Sequence, residues 1–370
     1  MKKPTLIITT TPELCAAVLC REECEEHWVS VVRKAGEPHD ALLERAAHYV
    51  SKAGATIVSL EVLGPPPAKT EIQALERVFG SVNWPVATLG GTGNSDDPAA
   101  VQVWAVRGPE VRPVQRAGRI YGAVFEDSWA RFCRLGGMTP LETSMPPAEQ
   151  TAWLLQCMDK TLDAASMVFA DTARTWYYNK DILRWYDDFN TVRNQFFDEH
   201  RVFDGIMPAS TGVGAVPPNK AAITGGLIGI QSKSGEFRIS AAPSPLQCAA
   251  AEYGSSFSRA VLVTFPDHER LFISGTASIS REGLTTCADS VDAQIEKTMA
   301  VVEAILNASG MNWSAVTRGI AYLKNAKDVS RFNEYRLRAG LKQLPLAIMV
   351  ADICRDDLLF EIEADAVRVR

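Results

Sequence analysis

Residues Ala351–Ala366 read ADICRDDLLFEIEADA. The apolar run AIMVADIC, from Ala347 to Cys354, contains β-branched residues and predicts a buried strand. Arg355-Asp356-Asp357 predicts a polar turn. LLFEIEADAVRVR then alternates with period two, which predicts a second strand. One face of it carries Leu358, Phe360, Ile362, Ala364 and Ala366. The other carries Leu359, Glu361, Glu363, Asp365 and Val367. A hairpin between the two strands would bring Cys354 towards Glu361. A thiol beside a carboxylate is a candidate site, although a buried cysteine next to a solvated acidic face fits the same pattern.

The preceding chain repeats one order of elements three times: long helix, strand, shorter helix, Pro-led strand, closing strand. The first pass has a helix at His39–Ala53, stopped by Gly54, and a strand at Thr56–Leu63. A helix at Thr70–Gly80, a strand led by Pro85 and a strand at Val101–Val106 complete it. The second pass has a helix at Ala148–Ala165, a strand within Val168–Tyr178 and a helix at Ile182–Glu199. The strand led by Pro208 (PASTGVG) and the segment Ala221–Ile230 follow, and strands near Ile120–Phe125 and Phe132–Leu135 precede it. The third pass has a hairpin at Arg259–Val263 and Arg270–Ala277, a helix at Ala288–Ala308, a strand at Ala315–Leu323 and a helix at Val329–Leu341. Pro345 then leads into the stretch quoted first. The spacing is longer than that of solenoid repeats, so it predicts triplication of a domain. Each unit is an α+β layer whose sheet has one uncovered face. Three such sheets packed around a pseudo-threefold axis bury those faces within one chain. The expected units are 1–110, 111–232 and 233–370. Their joins lie at Arg107–Gly118 and Gln231–Ser258.

Composition narrows the function. The 370 residues carry a net charge of -6 with no basic block, which argues against a phosphate-tracking surface for nucleic acid. No apolar run reaches membrane-spanning length, and the N-terminus lacks a signal-peptide core, so a cytoplasmic protein is expected. The eight cysteines form no CxxC pair. Cys20, Cys24 and His27 suggest only a loose metal site, and Cys20 and Cys24 are expected to share a helix face. No dinucleotide, nucleotide-loop, zinc-protease or nucleophile-elbow motif is present.

LFISGTAS, the helix with Gln294, AVTRGIAYLKNAKDVSRFNEY and FEIEADA resemble the Rid superfamily of YjgF-like deaminases. That family forms homotrimers with ligand sites between subunits. The resemblance places its site carboxylate on Glu361. The arginine of its Pro-Ala-Arg motif falls near Ala347 in the third unit and on Ser210 in the second, so it is missing from both. ARTWYYNKDILRWYDDFNTVRNQFF, PASTGVG, YGSSFSRA, FISGTASI and ADICRDDLLFEIEA, within residues 118–370, resemble the chorismatase family, including its 3-hydroxybenzoate synthase branch. Tyr253-Gly254-Ser255-Ser256-Phe257 is shorter than that family's arginine-bearing loop, and GRIYGAVFEDSWARF lacks the expected histidine.

The resemblance implies cleavage of an enolpyruvyl ether, as in chorismate or a related dihydroaromatic acid, with release of pyruvate and, with Cys354 in the ADICR motif, of 3-hydroxybenzoate. Protonating an enol carbon needs a carboxylic acid held neutral by burial, the role it assigns to Glu361. Substrate carboxylates call for arginines, expected at Arg174 and Arg259. Tyr178 would add a hydroxyl, and Ser210, Thr211 and Gly212 would add donors. Gly275 and Thr276 would allow a ligand close to the backbone. Arg193 reads as structural. No metal or organic cofactor is implied. The expected partner is a small aromatic or dihydroaromatic acid, with no nucleic acid and no membrane, and the chain is expected to be a monomer or dimer. A Rid-type imine or enamine deaminase, and a non-catalytic binding protein of the same fold, are the alternative readings. The working cleft is expected between the second and third units, with the other two clefts filled or degenerate.

Overall fold

Three successive stretches of chain fold into six-stranded sheets with one strand order. The computed structural model describes residues 3–34, 36–64, 72–93, 99–233, 235–250 and 255–370. Tyr253 and Gly254, singled out above, lie outside them.

The first sheet contains β1 (Thr5–Thr10), β2 (Cys15–Cys20), β3 (Glu25–Val32), β4 (Thr56–Gly64), β5 (Val86–Gly90) and β6 (Ala100–Arg107), in the order β1-β2-β3-β6-β4-β5. Helices α1 (His39–Ala53) and α2 (Ile72–Phe79) belong with it. Gly54 ends α1 in the left-handed region, at φ 61°, where a side chain would be strained. The second sheet contains β7 (Arg112–Arg116), β8 (Arg119–Glu126), β9 (Ala130–Met138), β10 (Thr172–Asn179), β11 (Ala209–Gly214) and β12 (Ile223–Ser232), with helices α3 (Pro147–Ala164) and α4 (Tyr186–Glu199). The third contains β13 (Arg238–Ala241), β14 (Ala260–Thr264), β15 (His268–Ala277), β16 (Val316–Leu323), β17 (Leu346–Val350) and β18 (Phe360–Val369), with α5 (Val291–Ala308) and α6 (Val329–Arg338).

The three sheets match in register as well as in order. In each, one parallel pair closes an edge, β4 with β5, β10 with β11, and β16 with β17. In each, the fourth strand slips by one residue against the sixth, between Ile57 and Ser59, Thr172 and Arg174, and Val316 and Arg318. Counting from that slip, Glu61, Trp176 and Ile320 occupy one position, and Ala100, Thr224 and Glu361 another.

Three local expectations are corrected. Cys20 and Cys24 sit on either side of the β2–β3 turn and share no helix, because Cys15–Cys20 and Glu25–Val32 pair as antiparallel strands. The two joins read as linkers contain edge strands, β7 and β13. β17 and β18 form no hairpin, since β16 lies between them.

Each unit has an apolar layer beneath its helices; in the third unit Phe360, Ile362, Ala364 and Ala366 point into it. A fourth layer joins all three sheets, with Trp104 and Trp28 from the first, Phe125, Phe132 and Trp176 from the second, and Phe272, Ile320 and Tyr322 from the third. Within it lies a buried charge cluster. Three arginines surround the Trp176 ring, with their guanidinium carbons 4.3 Å (Arg134), 4.6 Å (Arg174) and 5.1 Å (Arg318) from its centroid. Arg318 pairs with Glu61 and Glu363, both at 2.8 Å. Arg134 pairs with Glu61, and Arg174 with Glu363 at 3.1 Å and Asp365 at 3.6 Å. The acidic face of the last strand is therefore buried rather than solvated, with Glu363 and Asp365 paired.

Removing one partner from such a cluster strands a buried charge. Arg318→Ala is expected to lower unfolding free energy by about 3–5 kcal/mol in denaturant titration. A loss under about 1 kcal/mol would place the cluster outside the stabilising core.

Candidate active site

Glu361 and Glu363 stand two residues apart on β18 and face the same side, yet their surroundings differ. Glu363 accepts hydrogen bonds from Nε1 of Trp176 at 2.9 and 3.0 Å and is paired with two arginines. Burial alone would raise its pKa, but Arg174 and Arg318 bring it down to about 2. Glu361 is 4% exposed and makes no ion pair among the described residues. Burial, and then the charge on Glu363, push it up to about 8, with Arg259 pulling in the opposite direction. One strand thus holds an ionised glutamate beside a glutamate that keeps its proton near neutral pH.

Glu361 opens into a pocket of about 440 Å³ between the second and third units. Tyr186, Asn190 and Arg193 of α4, and Ser210 and Gly212 of β11, form one wall. Phe257, Gly275, Ala277, Cys354, Arg355 and Glu361 belong to the other. The two walls are stitched at the floor. The Ser210 amide donates to Oγ of Ser274 at 2.8 Å, and the Gly275 amide to Oγ1 of Thr211 at 3.1 Å. Ser274 and Gly275 lie where β15 slips against β18, between Ile273 and Thr276. A Cβ at Gly275 would collide with Oε1 of Glu361, so the glycine makes room for the acid itself. The segment after β17 carries Cys354 into the same pocket, which is how thiol and acid meet without a hairpin. Burial, and then Glu361, raise the Cys354 thiol to about 12, so it is a neutral group, and the Tyr186 side chain hydrogen-bonds it.

The remaining expected residues are divided between pocket and core. Ser210 and Gly212 line the pocket. Thr211 points to the axial side, where it accepts from Arg174 at 3.3 Å. Arg174 is wholly buried in the charge cluster and does not line the pocket. Tyr178 is packed in the layer between the sheets. Thr276 donates to the Ser274 carbonyl at 2.8 Å and is buried. Arg259 lies behind the pocket wall, donating from Nε to the Cys248 carbonyl at 3.0 Å with its charge felt by Glu361.

Arg193, expected to be structural, also lines the pocket. It is 2% exposed. Its guanidinium carbon lies 5.1 Å from the Phe189 ring centroid, and Nη2 donates to Oδ1 of Asn190 at 2.8 Å. Its Nε has no hydrogen-bond partner, and it has no carboxylate partner among the described residues. The signal was in the repeat. Phe189-Asn190-Thr191-Val192-Arg193 on α4 matches Phe332-Asn333-Glu334-Tyr335-Arg336 on α6. Arg336 spends its donors on the carbonyls of Leu341, Lys342 and Leu344, at 3.4, 2.8 and 3.5 Å. Arg193 has no such loop to hold.

Of the two alternatives expected for the other clefts, filled or degenerate, the structure shows the second. Both are open, at about 720 Å³ between the first and second units and about 340 Å³ between the third and first. Neither has the acid, because the position of Glu361 is Thr224 in one and Ala100 in the other.

Two outcomes follow. Gly275→Ala is expected to displace the Glu361 carboxyl, changing its titration while circular dichroism stays that of the parent. The raised pKa of Glu361 also sets a sign for stability. Between its ordinary value of 4.5 and about 8, the folded chain holds a proton that the unfolded chain has released. Stability is therefore lost as pH rises through that window. The melting temperature of Glu361→Gln should gain on the parent from pH 5 to 8, and a constant difference would remove the claim.

Residues 249–368 match the family described as Endoribonuclease L-PSP. A chorismatase from Streptomyces rapamycinicus is 29% identical over 218 residues, which cover 53% of this chain and 64% of that protein. A chorismatase from Streptomyces hygroscopicus is 28% identical over 296 residues, covering 74% of this chain and 80% of that one. A chorismatase crystal structure superposes with a TM-score of 0.65 at 22% identity, covering 92% of this chain and 98% of that chain, a likeness of fold. By sequence this three-unit chain is similar to chorismatases, its last third matches the Endoribonuclease L-PSP family, and its fold is that of a chorismatase.

Proposed function

We propose that the pocket between the second and third units cleaves the enolpyruvyl ether of chorismate or a closely related dihydroaromatic acid. The observation that carries this reading is the pairing, in one pocket, of a buried glutamate that keeps its proton with a buried arginine that has no acid of its own. Glu361 is raised to about 8, so it is an acid at neutral pH. Arg193 supplies a planar pair of donors for a substrate carboxylate, and Arg355 lines the same pocket. Arg174, the binding arginine expected from sequence, is already committed to Glu363 and Asp365 and acts instead by keeping Glu363 ionised.

Glu361 transfers its proton to the methylene carbon of the enol ether, leaving an oxocarbenium centre on the side chain. The C4 hydroxyl oxygen of the substrate then attacks C3. The C3–O bond breaks, its electrons return to the side-chain oxygen, and pyruvate leaves with that oxygen. The proton from the C4 hydroxyl restores Glu361. The bridged ring opens at C4–O and loses its C3 proton, giving 3-hydroxybenzoate. No water is consumed, so the balance is one substrate to one pyruvate and one hydroxybenzoate. The neutral Cys354 thiol occupies space beside the ring that an attacking water would need.

The test is pyruvate release from chorismate. The rate should fall as pH rises through about 8, where Glu361 loses its proton. Glu361→Gln should lose about a hundred- to ten-thousand-fold in kcat. Arg193→Ala should lose about ten- to a hundredfold in kcat/KM, mostly through KM. Cys354→Ala should keep pyruvate release and shift the aromatic product towards a dihydrodiol. Equal rates for parent and Glu361→Gln would refute the acid. Thermal stabilisation by chorismate without pyruvate would make the pocket a binding site only.

A further inference from the structure

The cleft between the first and second units is the register counterpart of the catalytic pocket. Val86 and Thr88 of β5 line it at the positions that Ser210 and Gly212 of β11 hold in the catalytic pocket, as their pairing with β4 and β10 shows. Tyr121 precedes β8 Gly122 as Arg259 precedes β14 Ala260, in matching register with β9 and β15. Its acid position is Thr224, whose hydroxyl is engaged with Thr139 at 2.7 Å and the Met138 carbonyl at 3.1 Å. Among the described residues, no carboxylic acid lines this cleft to take the part assigned to Glu361.

The cleft is nonetheless built to hold something. It is the larger of the two, about 720 Å³ against about 440 Å³. Its apolar walls include Trp84, Ile120 and Tyr121. Arg119 and Lys220 line it, and no aspartate or glutamate does so among the described residues. Nε1 of Trp84 is buried and has no acceptor. Asn219 and Lys220 both adopt left-handed backbone, at φ 55° and 62°, and Nδ2 of Asn219 ties that turn to the Pro140 carbonyl at 3.0 Å. Asparagine adopts this conformation readily but lysine does not, and the turn places Lys220 at the cleft.

We propose that this cleft is a second, non-catalytic binding site for a small aromatic carboxylate. The ring would lie between Trp84 and Tyr121, and the carboxylate would meet Arg119 and Lys220. The ligand class follows from this cleft's own lining and does not depend on the reaction proposed for the other pocket.

The test is calorimetric titration of the full chain with 3-hydroxybenzoate, and with 3-hydroxybenzyl alcohol as the uncharged analogue. The Arg193→Ala background weakens binding at the catalytic pocket and isolates the second site. In that background, saturable binding of one acid per chain is expected. Adding Arg119→Ala and Lys220→Ala should weaken it by about tenfold or more. Trp84→Phe should abolish the fluorescence change that accompanies binding. The Arg119→Ala/Lys220→Ala pair alone should leave turnover at the catalytic pocket unchanged. Absence of saturable binding at millimolar acid, unchanged affinity in the pair, or equal affinity for the alcohol would each overturn the proposal.

Discussion

The interaction on which the structure depends is the ion cluster around Trp176, where three sheets meet. Arg134, Arg174 and Arg318 face Glu61, Glu363 and Asp365, with charges balanced three to three. Pairs of this kind add little stability over an apolar core of the same volume, because desolvation offsets attraction. They do penalise any arrangement that leaves one charge unpaired. Here the partners of a single charge come from different units, as Glu61 of the first joins Arg134 of the second and Arg318 of the third. A second cluster repeats the device, with Arg21 bonded to Asp127 at 2.6 Å and Arg270 to Glu26 at 2.9 Å. Mutual placement of the sheets and ionisation of Glu363 are thus one property. The ionised Glu363 is in turn one reason that Glu361 remains neutral.

The helices and most strands were legible because their periodicity reports local burial. α1 spans the predicted residues, and the apolar alternation of β18 faces the α5 layer as expected. What failed depended on neighbours that periodicity does not report. The acidic face of β18 looks like a solvated face until two other sheets cover it. β7 and β13 are short and polar at sheet edges, so they read as linkers. Cys20 and Cys24 were read as one helix face, but a turn separates them.

The site was legible in part for the same reason. Glu361 and Cys354 stood out in their own stretch of sequence, the resemblance gave them roles, and both line one pocket. The arginines were harder, since a sequence does not say which guanidinium already has a carboxylate. Arg174 has two, whereas Arg193 is left with Asn190 and the face of Phe189. Comparison of FNTVR with FNEYR inside the chain marks the position, and the loop carbonyls that Arg336 holds distinguish the two copies.

Trp176, Glu61 and Ile320 share one register position, which three identical subunits would have to fill with three copies of one residue. Three indoles would crowd the axis, three glutamates would repel one another, and three isoleucines would leave the arginines nothing to stack on. A tandem chain escapes this rule of threes. Each axial residue can change alone, and so can each cleft, which allows one to retain an acid while another trades it for a hydroxyl. The cost is that no unit is self-complementary any longer. A third unit cut free would carry Arg318 and Glu363 without Glu61 or Trp176, and could not rebuild the axis from copies of itself.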